Sequence, residues 1–124
     1  MSAPPLFTRL DTVLLRVRDL GASRAWYEER LGFTAVFEDS AEGLVVYDTG
    51  GPTSLTLWAW KPGEEVAAGG AFPIFAVDDA DAARAALRGR GIEAGEVEEG
   101  GGVRSFDFTD PDGNRIGVCQ LLEG

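Results

Sequence analysis

The sequence predicts an α+β fold of two βαβββ modules in tandem, forming a cup-shaped mixed β-sheet with the helices outside. Three observations predict it: a strand of period 2 leading into an Asp-capped helix, a second copy of that order sixty positions later, and strong turn chemistry before the final run. In the segment Thr12-Val-Leu-Leu-Arg-Val17, Val13, Leu15 and Val17 alternate with Thr12, Leu14 and Arg16, so one set meets a helix and the other faces away. Asp19 is placed to cap that helix. Ser23, Trp26, Tyr27 and Leu31 then recur at helical spacing on one face, and Gly32 stops the run. Phe33–Glu38, Gly43–Asp48 and Ser54–Trp60 follow as β-rich runs separated by Asp39-Ser40 and Gly50-Gly51-Pro52, the pattern of a meander.

Shifting by sixty positions lays Phe72-Pro-Ile-Phe-Ala-Val77 on the first strand, Asp79 on Asp19 and Arg84 on Arg24. Ala83, Ala86 and Leu87 take the spacing of Ser23, Trp26 and Tyr27, and Gly91-Ile92 repeats Gly32-Phe33. Glu93–Val97, Val103–Thr109 and Asn114–Leu121 supply three more strands, the last two joined at Asp110-Pro-Asp-Gly113, where proline presets the turn and glycine takes positive φ. The expected organisation is one domain over 1–124, with modules 10–60 and 71–122 and a linker or flap at 61–70.

Composition narrows the function. A chain of 124 residues holds one core without staples, and its single cysteine, Cys119, forms no internal disulfide, so the expected location is the cytoplasm. No apolar run reaches membrane-span length and the first residues do not resemble a signal peptide, so no membrane partner is expected. With 21 acidic against 11 basic residues, the net charge of −10 excludes nucleic acid as a partner, because phosphate backbones are held by Lys and Arg. The same field favours solubility and attracts cationic small molecules.

Val13-Leu-Leu-Arg-Val-Arg-Asp-Leu20, Ser23 with Trp26-Tyr27, Leu31-Gly32-Phe33 and Phe108-Thr-Asp-Pro-Asp-Gly-Asn114 together resemble the vicinal oxygen chelate superfamily of glyoxalase I, extradiol dioxygenases and bleomycin-resistance proteins. The resemblance covers nearly the whole chain. It implies metal ligands on the first and last strand of each module, at positions that fall here on Thr12, near Thr56, on Phe72 and on Gly117. Zinc, iron and manganese need imidazole, carboxylate or thiolate donors, and the chain has no histidine. The expectation is therefore no metal and no cofactor, nearest in character to the metal-free bleomycin-resistance-like members. Gly117 is expected to leave space where a glutamate would reach inward. The resemblance also implies a homodimer.

Alternation places Thr12, Leu14, Arg16, Thr56, Trp58, Trp60, Phe72, Ile74, Gly117 and Cys119 on the face away from the helices, an aromatic surface suited to stacking on a flat ligand or to packing. Arg16 and Arg104 are candidate anchors for a carboxylate or carbonyl, or else pair with acids such as Asp48 and Asp107. Glu38, Asp48 and Asp107 are the only plausible bases and Cys119 the only soft nucleophile, each without a recognisable catalytic partner, so no catalytic residue is assigned. These features favour a metal-free protein that sequesters an aromatic or planar metabolite or antibiotic in an aromatic-lined cup. The alternatives are a metal-independent lyase or isomerase and a purely structural module, which leaves the aromatic face without a use.

Overall fold

The computed structural model describes Leu6, residues 9–65 and residues 71–122. The chain divides into two compact units, Met1–Glu64 and Glu65–Gly124. In the first, β1 (Thr12–Val17), α1 (Leu20–Arg30), β2 (Thr34–Asp39), β3 (Leu44–Asp48) and β4 (Ser54–Ala59) follow the expected order. The sheet runs β1-β4-β3-β2, with β1 parallel to β4 and the other pairs antiparallel. A parallel partner for β1 requires a crossover longer than a hairpin, and α1 lies within that crossover.

The Asp19 carboxylate accepts the Ala22 N–H at 3.0 Å and so starts α1. At the other end Gly32 takes φ +76°, a left-handed conformation open to glycine, and the Leu31 and Phe33 N–H groups both reach the Tyr27 carbonyl. The helix side of the sheet carries buried Leu15, Val17, Val45, Tyr47, Leu55 and Leu57, against which Tyr27 and Ser23 of α1 are buried. Trp26 and Leu31, expected on the same helical face, are half-buried.

A polar chain borders this core. The Tyr47 hydroxyl donates to Glu28 at 2.9 Å, Arg24 Nε donates to Glu28 at 2.7 Å, and Arg24 also binds Glu38. The Arg24 bond, with help from Tyr47, holds the Glu28 carboxyl below its ordinary value of 4.5. A depressed folded-state value means that the stabilisation is present above the unfolded value and lost as pH falls through the folded one. Stability is therefore expected to drop on acidification below about pH 4.5. Denaturant melts across that range test this, and Glu28→Gln should show a shallower acid limb; identical limbs would remove Glu28 from the account.

The second unit repeats the order with β5 (Ile74–Ala76), α2 (Ala80–Gly89), β6 (Glu98–Gly100), β7 (Val103–Thr109) and β8 (Arg115–Leu121), in the sheet β5-β8-β7-β6 with β5 parallel to β8. Asp79 caps α2 through the Ala82 N–H at 3.1 Å. Leu87, Ile92, Phe106, Phe108, Ile116 and Val118 are buried, whereas Ala86, expected on the packed face of α2, is exposed. Asp110 is buried at the β7–β8 turn, accepting from the Asp112 and Asn114 N–H groups at 2.9 and 2.8 Å and from Asn114 Nδ2 at 2.8 Å.

Two expectations change. The strand expected over Phe72–Val77 shortens to Ile74–Ala76, because Pro73 has no N–H for the ladder, although its carbonyl still accepts from Gly117 at 2.9 Å. The strand expected over Glu93–Val97 is reduced to one bridge, Ala94 to Phe108. Gly95 runs so close to β7 that an added Cβ would lie 3.3 Å from the Asp107 carbonyl oxygen, and pairing resumes only at Glu98. From there a tight turn at Gly101-Gly102, with φ of +62° and +82°, leads into β7. Of the linker expected at 61–70, Lys61 and Glu64 close a turn through a 3.0 Å backbone bond, and residues 66–70 lie outside the described residues. No helix among the described residues is long and apolar enough to cross a membrane.

Candidate ligand-binding faces

Each unit covers one face of its sheet with its helix, and the expected site residues can be placed by strand register on the other. In the first unit one row crosses the sheet as Leu14, Thr56, Val46 and Phe37, and the next as Arg16, Trp58, Leu44 and Asp39. A register shift between Ala35 and Phe37 is what carries Phe37 to this face. Leu14 is 43% and Phe37 58% exposed, so the first row ends in apolar side chains open to contact. Phe37 was missed in the sequence because the bulge breaks simple alternation.

Trp58 is bordered by polar groups over its ring and at its N–H. The Arg16 guanidinium lies 4.4 Å from the Trp58 ring centroid, the Lys61 ammonium 5.9 Å, and the indole N–H donates to the Glu42 carbonyl at 3.1 Å. Lys61 is tied in turn to the Glu42 carboxylate at 2.9 Å. Arg16 also donates to the Trp58 and Ala59 carbonyls at 3.1 and 3.2 Å, and its carboxylate partner is Glu64. The Lys61 backbone N–H and Arg16 together hold the Glu64 carboxyl below the usual range.

Trp60 follows the end of β4, its backbone N–H bonded to the Val17 carbonyl at 2.9 Å, with the Arg18 guanidinium 5.6 Å from its ring centroid. The two strands thus set Arg16 beside Trp58 and Arg18 beside Trp60. The Trp60 Nε1 atom is buried and has no hydrogen-bond partner among the described residues. Leaving a buried donor unmet costs about 1–3 kcal/mol.

In the second unit Ile74, Gly117 and Asp107 form one row and Ala76, Cys119 and Ser105 the next. The Phe72 ring lies under the Arg115 guanidinium at 4.1 Å, and Arg115 pairs with Asp107 at 2.5 Å. The space expected over Gly117 is filled: a Cβ there would meet Ile74 Cγ1 at 3.1 Å and Phe72 Cε2 at 3.4 Å. Cys119 is half-buried.

Arg104 stands apart from these residues. It lies three positions before Asp107 on β7, hence on the opposite face, where it binds Asp81 of α2 at 2.6 Å and Glu99 at 3.2 Å. The sequence also pointed to Asp48 and Asp107 as arginine partners. Asp107 does take an arginine, but it is Arg115, while Asp48 accepts the Gly50 N–H at 3.1 Å. Arg16 sits level with Leu44 and Trp58, at the other end of β3 from Asp48, which explains why Glu64 reaches it instead.

The four positions at which the family places metal ligands meet in pairs. Thr12 Oγ1 lies 3.0 Å from Thr56 Oγ1 and also donates to the Ser54 carbonyl at 3.2 Å, while Phe72 and Ile74 cover Gly117. Two neutral hydroxyls, a phenyl ring and a glycine do not fit a transition metal. Among the described residues no group of three or more His, Cys, Asp or Glu side chains is placed to hold an ion. The acids considered as bases are also engaged: Glu38 by Arg24 and Asp107 by Arg115.

Comparison with solved structures finds an antibiotic-binding protein, TnmS3, from Streptomyces sp. CB03234, at 27% identity and TM-score 0.78, covering 95% of this chain and 99% of that one. A glyoxalase/bleomycin resistance protein from the same strain also matches at 27% identity, TM-score 0.71, with 90% and 100% covered. A glyoxalase family protein from Bacillus anthracis, at 22% identity and TM-score 0.81 over 96% and 99%, shows the likeness of fold alone. No curated protein matches significantly. The sequence model of the Glyoxalase/Bleomycin resistance protein/Dioxygenase superfamily matches residues 9–118. That span runs from before β1 into β8 and takes in both sets of paired positions, and the chain belongs to this superfamily.

Proposed function

We propose that this chain is a metal-free binding protein that sequesters an aromatic or planar metabolite or antibiotic on the open faces of its sheets. The observation that carries the reading is the pairing of Thr12 with Thr56 and of Phe72 with Gly117, which sets two hydroxyls, a ring and a glycine where relatives place metal donors. Trp58 adds a flat ring beside a guanidinium, and Leu14 and Phe37 add exposed apolar area. The 27% identity to an antibiotic-binding protein is in keeping with this use. The protein is further proposed to act in the cytoplasm as a homodimer, and light scattering decides the oligomeric state.

Titration of a panel of planar aromatic antibiotics and metabolites, followed by tryptophan fluorescence and by melting shifts, tests the reading, since a binder of the native state raises its melting temperature. Trp58→Ala should weaken binding by about tenfold, or about 1.4 kcal/mol, with the fold retained. Trp58 is half-buried among Arg16, Lys61 and Glu42 rather than among core side chains, so its loss is expected to spare stability. A large loss of stability, with fluorescence unresponsive to the whole panel, would make Trp58 a packing residue.

A further inference from the structure

We infer that Arg115 donates hydrogen bonds to a carbonyl oxygen of the ligand, and that the ligand is an uncharged planar molecule carrying that oxygen at its edge. This rests on the binding reading above and narrows its ligand class. Arg115 lies two positions before Gly117 on β8, hence on the same open face as Gly117, Ile74 and Asp107. Its guanidinium is fixed in place: it lies 4.1 Å from the Phe72 ring centroid, and its Nε and Nη2 both reach Asp107 Oδ2, at 2.7 and 2.5 Å. A guanidinium carries five N–H donors, and these bonds use two of them. The two Nη1 hydrogens and the second Nη2 hydrogen have no partner among the described residues, and the side chain is 56% exposed. Arg16, by contrast, is engaged by two carbonyls and Glu64 with 19% of its side chain exposed, and Arg104 is shared between two carboxylates. A donor fork already held in position loses little freedom when a ligand arrives. Beside it, the Phe72 ring and the 59% exposed Ile74 supply apolar surface for a planar body. Charge selects the acceptor. Asp107 neutralises Arg115 and is itself 42% exposed at the same place, on a chain of net charge −10. A ligand carboxylate there meets a second carboxylate, whereas a neutral carbonyl takes the open N–H groups without that repulsion.

The test uses 2-acetylnaphthalene, 2-naphthoate and naphthalene as probes on the full chain, with wild type, Arg115→Met and Asp107→Asn compared by equilibrium dialysis. Wild type is expected to prefer 2-acetylnaphthalene to naphthalene by about tenfold. Arg115→Met keeps an unbranched side chain over Phe72 and removes every N–H, so it should lose that preference, whereas a merely structural arginine would lower all three probes alike. Asp107→Asn removes the neutralising charge: 2-naphthoate should gain about tenfold while 2-acetylnaphthalene changes by less than about threefold. Both side chains are partly exposed, and urea midpoints check that the variants stay folded. A second readout uses wild type alone. In ¹H–¹⁵N spectra the Arg115 Nε–H signal, assigned through bonds to its own backbone, should move with 2-acetylnaphthalene and not with naphthalene. If the probes bind and Arg115→Met keeps the wild-type preference, or the Arg115 signal stays still as 2-acetylnaphthalene binds, the inference is overturned and the aromatic-binding reading stands. A wild-type preference for 2-naphthoate over 2-acetylnaphthalene, or no gain for 2-naphthoate in Asp107→Asn, overturns the choice of an uncharged acceptor. If no probe and no member of the planar panel binds, the binding reading fails and this inference falls with it.

Discussion

Replacing Gly117 with glutamate is expected to destabilise the protein by about 3 kcal/mol or more and to create no metal site. The residue is buried, and its missing side chain admits Ile74 and Phe72 over β8, with Ile74 Cγ1 only 3.1 Å from where a Cβ would lie. Overpacking of this kind costs about 1–3 kcal/mol. The carboxylate then adds the penalty of a charge withdrawn from water without an assigned partner. Ile74 is 59% exposed and has room to turn away, but Phe72 is held beneath Arg115 at 4.1 Å, and displacing it breaks that contact. Urea melts measure the loss. A wild-type midpoint would show that the site over Gly117 is open, as the bare sequence suggests. Elemental analysis after dialysis gives the second readout, and one equivalent of zinc, iron or manganese in either wild type or variant would overturn the account of Thr12, Thr56 and Phe72 as non-ligands.

Tyr27→Ala is expected to cost about 3–5 kcal/mol, the range for deleting a buried aromatic ring. Tyr27 is fully buried and sits at the centre of an aromatic cluster, its ring 4.9 Å from Trp26, 6.0 Å from Tyr47 and 6.1 Å from Phe33. These rings join α1 to the connection before β2 and to β3. Against a typical total of about 5–15 kcal/mol for a domain, the loss is a large share. The measured quantity is the denaturant midpoint, with secondary structure followed in parallel. A shift of under about 1 kcal/mol would mean that the cluster is an incidental grouping rather than the core of the first unit.

The order of elements was legible because its signals are local. Alternation in Thr12–Val17, the caps Asp19 and Asp79, the stop at Gly32 and the turn at Asp110–Gly113 each depend on residues within about four positions of one another, and the structure shows each element they mark. The failures lie where local rules compete with sheet pairing. Pro73 shortens β5, Gly95 interrupts the strand expected before β6, and the bulge before Phe37 turns that ring to the open face.

The faces of the sheets were legible in the same way, since a residue two positions away shares a face and one three positions away does not. Applied to β7, that rule separates Arg104 from Asp107, and only the register showed which of them faced the helix. What only the tertiary structure decided is who touches whom. Arg16 finds Glu64 across forty-eight positions, Trp58 finds the Glu42 carbonyl across sixteen, and Ile74 and Phe72 close over Gly117. The buried Trp60 N–H belongs to the same class. Composition and periodicity determine which side chains can be donors, acceptors or flat surfaces. Contact between residues distant in sequence is set by strand register, turn placement and packing together, and these form only when the chain has folded.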